Sequence, residues 1–166
     1  MMAYLLDADV FIRAKRDHYR FTFCPGFWEW LLKANGSGKV FSIDKVKGEL
    51  KSGTDELARW AEARSSSFFL IPDSTVTAAA ARVSTWVNQQ RYESQAIVEF
   101  FQSADYWLVA HALAKEWKVV THEVSAPGSR RKIKLPDACD GVRVSCTNPF
   151  QMLDDERARF VLGPKP

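Results

Sequence analysis

Short apolar runs alternate along this chain with longer segments in which apolar residues recur every three or four positions. The runs Ala3-Tyr4-Leu5-Leu6, Val40-Phe41-Ser42, Phe68-Phe69-Leu70-Ile71 and Lys118-Val119-Val120-Thr121 read as short strands buried on both faces, the habit of a parallel sheet. Two further short strands are expected at 133–135 and 142–144. The intervening segments read as helices: one opening near Val10, one at 27–34 begun by Pro25 and ended by Gly36, and one at 44–51. A fourth covers 54–64, with Thr54 as its cap and Asp55 and Glu56 in its first turn. Others cover 75–88, 94–101, 104–117 and 149–159. No repeat, low-complexity tract or linker interrupts the series. The alternation predicts one α/β domain over 1–166, with three layers and a mainly parallel central sheet.

Composition narrows the class. With 166 residues, 46% of them apolar, the chain can bury a core of its own. No apolar stretch approaches about 18 residues, so no membrane span is expected. Asp7 and Asp9 break the N-terminal apolar run too early for a signal peptide. Cys24, Cys139 and Cys146 form no C-x-x-C pair, which points to reduced thiols in a cytoplasmic protein and gives a zinc site little support. A net charge of +3 permits nucleic-acid binding without requiring it.

The candidate chemistry lies in four acids far apart in sequence. Asp7 follows the first strand and Glu123 follows the strand at 118–121, the edge where open α/β sheets bind ligands. Glu49 borders the Val46/Leu50 stripe of its helix, and Asp105 falls in a first helical turn after Ser103. Carboxylates gathered together need a cation to offset their repulsion, and an oxygen-only donor set suits Mg²⁺ or Mn²⁺. Three of these acids also have an ordinary explanation: Asp7 as a helix cap, Glu49 as a solvated helix residue, Asp105 as a partner of the helix dipole. Asp9, Thr121 and Asp137 are candidates for supporting the site. The run Arg130, Arg131, Lys132 and Lys134 is either a solvated loop or a lip that holds RNA phosphates. His122 reads as structural, facing away from Thr121. The aromatic helix Phe27-Trp28-Glu29-Trp30-Leu31-Leu32 reads as core, with a partner surface as the alternative.

Taken in order, these segments resemble the PIN-domain nucleases, specifically the bacterial DUF4411 type. The resemblance is carried by Tyr4-Leu5-Leu6-Asp7-Ala8-Asp9-Val10-Phe11-Ile12, by Cys24-Pro25-Gly26-Phe27-Trp28-Glu29-Trp30-Leu31, and by the segment from Ser42 to Leu50. It continues through Asp105-Tyr106-Trp107-Leu108-Val109-Ala110, Val119-Val120-Thr121-His122-Glu123 and Lys132-Ile133-Lys134-Leu135-Pro136-Asp137-Ala138-Cys139. Most PIN domains carry Asp where this chain has Glu123. The resemblance implies a PIN-like fold and a metal-dependent endoribonuclease whose metal-binding acids are Asp7, Glu49, Asp105 and Glu123. It also implies the role of toxin in a toxin–antitoxin pair, with an RNA substrate, a cognate antitoxin and room for a homodimer.

Two other readings stay open. Leu6-Asp7-Ala8-Asp9-Val10 also fits a haloacid-dehalogenase-like phosphatase, with Asp7 as nucleophile, Asp9 as acid/base and Asp154-Asp155 as its last acidic pair. A PIN-fold module that binds RNA or a partner without cutting is the second.

Overall fold

A computed structural model describes residues 2–163. The strands β1 (Tyr4–Leu6), β2 (Val40–Ile43), β3 (Phe69–Leu70), β4 (Lys118–Val120) and β5 (Cys146–Thr147) form one parallel sheet in the order β3-β2-β1-β4-β5. β1 is central because its residues are wholly apolar and sealed on both faces; Leu5, Leu6, Val119 and Val120 have no exposed surface. Helices α1 (Ala8–Arg13), α2 (Pro25–Gly36), α3 (Asp44–Leu50) and α4 (Glu56–Glu62) connect the first three strands. Helices α5 (Ser74–Gln89), α6 (Ser94–Gln102) and α7 (Ala104–Lys115) span the crossover from β3 to β4. α8 (Leu135–Gly141) precedes β5 and α9 (Pro149–Asp155) follows it. The α/β architecture, with its all-parallel sheet between helices, is consistent with a three-layer PIN-like fold.

Several elements differ from the expectations. The segment 133–135 is not a strand. Pro136 lies in the first turn of α8, where its missing N–H leaves no bond unmade, and Asp137 in the same turn favours the helix dipole. The strand expected at 142–144 forms at Cys146–Thr147 instead, because Arg143 adopts a left-handed φ of 61° that a strand does not accommodate. Asp55 replaces Thr54 as a cap, its Oδ1 accepting from Ala58 N at 2.9 Å. α9 stops at Asp155, short of 159, and Arg157 turns the chain with a φ of 53°. α1 opens two residues early and widens into a π-helical turn at Ala14–His18.

Phe27, Trp28 and Leu31 of α2 are core residues, as the packing reading expects. The Trp28 indole N–H donates to Tyr19 O at 2.7 Å. α8 packs so closely on α5 that a Cβ on Gly141 would stand 2.0 Å from the Trp86 ring.

Candidate functional site

The parallel pairing of β1 with β4 puts Asp7 and Thr121 side by side just past the sheet's carboxyl edge. Asp7 N donates to Val120 O at 2.9 Å, extending the ladder by one residue. The Asp7 carboxylate, 6% exposed, accepts from Ala8 N at 2.7 Å and from Thr121 Oγ1 at 2.8 Å. Asp7 is therefore the cap of α1 and a buried acid at once. Asp9, one turn-start later, accepts from His122 N at 3.3 Å and lies 3.4 Å from Thr121 Oγ1. Thr121 Oγ1 also accepts from Glu123 N at 3.1 Å. One buried hydroxyl thus ties three acids together.

Glu123 is held from the other side, with Oε2 accepting from Leu135 N at 2.9 Å and Oε1 3.7 Å from Lys132 Nζ. α3 delivers Glu49 to the rim, beside the Ala104 N–H that opens α7. Asp105 follows in that same first turn.

The charges report on one another. Burial, then Asp105 and Asp9, push the Asp7 carboxyl well above its ordinary value, against the pull of the Thr121 and Ala8 hydrogen bonds. Burial, then Glu123 and Glu49, push Asp105 up to about 7, with Lys132 opposing. Glu49 is open to solvent yet loses part of its hydration to the surrounding protein, which raises its carboxyl while the Ala104 N–H lowers it. All four predicted acids, with Asp9, therefore share one electrostatic field. Among the described residues, however, no group of three or more His, Cys, Asp or Glu side chains stands ready to hold a metal ion. The donor set is entirely oxygen and carries unbalanced negative charge, which fits a hard cation. Such a cation, if magnesium, would keep several of its waters.

Asp137 lies in the first turn of α8, facing the loop that follows Glu123. It accepts from Ser125 Oγ and, at 2.8 Å, from Ala126 N, and so anchors the loop after Glu123 to α8. Within the basic run, Lys132 reaches the acids. Arg130 and Arg131 are exposed, Arg130 O accepting from Glu93 N at 2.9 Å and Arg131 lying 3.8 Å from Glu93. Asp154 and Asp155 end α9 beside Glu156, whose carboxylate accepts from the Tyr4 hydroxyl at 3.2 Å, at the start of β1. That contact sets Glu156 at the strand end opposite Asp7.

His122, on the other side of the chain from the Thr121 hydroxyl, packs among aromatic rings. Its ring meets His18 at 5.7 Å and Phe150 at 5.6 Å between centroids. The sequence carried no signal for His18 or Phe150, because only the π-helical turn and the β5–α9 junction bring them here.

The chain belongs to the family described as a domain of unknown function, DUF4411, whose model matches residues 4–160. No curated protein and no solved structure matches it.

Proposed function

We propose that this protein is a PIN-type, divalent-metal-dependent endoribonuclease. The observation that carries the proposal is the pair of buried acids at the carboxyl edge of the sheet: Asp7 is raised by burial and then by Asp105 and Asp9, and Asp105 by burial and then by Glu123 and Glu49. Buried carboxylates that raise one another are uncompensated until a cation arrives. Asp7 and Asp105, the two most strained acids, would hold Mg²⁺ or Mn²⁺, with Glu49 and Glu123 acting directly or through water. A bound cation supplies charge neutralisation and a more acidic attacking water.

The chain's own groups prepare the site. Thr121 fixes the rotamer of Asp7 through its 2.8 Å hydrogen bond, and the Leu135 N–H fixes Glu123. Lys132 sits between the acids and the exposed arginines, placed to hold a phosphate at the mouth. The resemblance to PIN nucleases extends the proposal to a toxin restrained by a cognate antitoxin protein.

Cleavage of labelled single-stranded RNA in matched Mg²⁺ and Mn²⁺, for the parent and Asp7→Asn, tests the reading. The amide binds a hard cation far more weakly, so the variant should stay folded and stop cutting. Equal rates in both proteins would remove Asp7 from the chemistry. A parent that binds RNA but never cuts it would favour the non-cutting module.

A further inference from the structure

The rings of His18, His122 and Phe150 form a corner directly beside the acids, and it is the His122 backbone N–H, not its ring, that donates to Asp9 at 3.3 Å. The His18 and Phe150 rings meet edge to face at 5.2 Å, and His122 closes the triangle from the strand side. Phe150 is 45% exposed. A hollow of about 460 Å³, lined in part by His122, Val124, Asn148 and Phe150, opens beside these rings and reaches Glu123. Asn148 Oδ1 accepts from Gln151 N at 2.8 Å. That bond turns the amide NH₂ outward, and among the described residues it has no hydrogen-bond acceptor. His18 stands here because the π-helical turn at Ala14–His18 displaces it from the α-helical path; such turns recur at functional sites.

We infer that this corner is a nucleobase shelf. It stacks one unpaired base of a single-stranded RNA on the Phe150 and His18 rings, next to the phosphate that the acids address. Asn148 donates to an acceptor on the base edge. The inference rests on the nuclease reading for the neighbouring phosphate. Single strands fit because only an unstacked base can be splayed onto aromatic rings and read on its edge. A purely apolar partner would not use the outward Asn148 amide or the carboxylates at the hollow's edge.

The test is equilibrium binding by fluorescence anisotropy in Ca²⁺, with oligomer integrity checked on denaturing gels. The probes are a short single-stranded RNA and a series carrying one abasic residue at successive positions. The shelf predicts one position at which base loss weakens binding by about 5- to 100-fold. Phe150→Ala should lose the same factor on intact RNA, with no further loss on the abasic probe. Phe150→Trp should restore the affinity. A flat abasic scan, a Phe150→Ala protein that binds as the parent does, or a parent that binds no RNA each overturns the shelf. So does unchanged RNA affinity with loss of self-association, which would make the corner a contact between copies. Cutting, measured separately in Mg²⁺, distinguishes the two readings. A flat scan with cutting leaves the nuclease standing, and a position-specific loss without cutting leaves only the shelf.

Discussion

Asp105 shows how one residue can be costly to the fold and useful to the site. A carboxyl raised to about 7 in the folded protein contributes stability that is complete below about pH 4 and lost as pH rises toward 7. Asp105→Asn should therefore stabilise the metal-free protein at pH 8, by an amount on the order of 1–3 kcal/mol after allowing for partial solvation. The gain should shrink by pH 5. Thermal melts in EDTA at the two pH values measure it, and equal effects at both would contradict the shift. His111 runs the other way. It is fully buried, neither ring nitrogen has a hydrogen-bond partner among the described residues, and burial pushes it down to about 4. Its share of stability is present above about 6.5 and is lost as pH falls toward 4. His111→Leu removes an unpaired polar group from the core, so it should be neutral or stabilising at pH 7. It should also lose less stability than the parent between pH 7 and 4.5 in urea titrations.

Among the elements, those legible in the sequence were the ones fixed by local pattern. β1, β2 and β4 are short, mainly apolar runs, and each ends near where the pattern places it. Glu49 could be placed because Val46 and Leu50 turn to the core and leave it at the edge of their stripe. The segment 133–144 misled because short apolar runs do not separate strand from helix. Its outcome is set by Pro136 at a helix start and by the contact of Gly141 with Trp86. That contact makes Gly141→Ala a test of the α5–α8 packing. A methyl 2.0 Å from the indole should cost about 1–3 kcal/mol in chemical denaturation, and adding Trp86→Leu should recover much of it. The basic loop has its own expectation. Neutralising Arg130 and Arg131 should weaken RNA binding and flatten its salt dependence, by roughly 0.7 in log–log slope per phosphate released. An unchanged slope would return the pair to the role of solvated side chains.

At the scale of the whole molecule, the fold gathers what the sequence scatters. Asp7 and Glu123 follow the neighbouring parallel strands β1 and β4, while Glu49 and Asp105 come from the helices α3 and α7; the strand-end pair was the part that strands ending in acids made legible. The links beneath them were not legible. Leu135 N–H fixing Glu123 and the His18–His122–Phe150 corner both depend on backbone positions that no local pattern specifies. Among the described residues no helix is long and apolar enough to cross a membrane, as expected.

If these acids form one cation site, a Mn²⁺ titration followed by electron paramagnetic resonance reads it without relying on catalysis. Free Mn²⁺ gives the signal, so bound metal is read as its loss. The parent should show saturable binding that strengthens from pH 6 to pH 8, as raised carboxyls release their protons to the metal. Asp7→Asn and Asp105→Asn should each weaken it by tenfold or more. A parent that takes up no Mn²⁺ at pH 8, or variants that bind it as the parent does, would contradict the account.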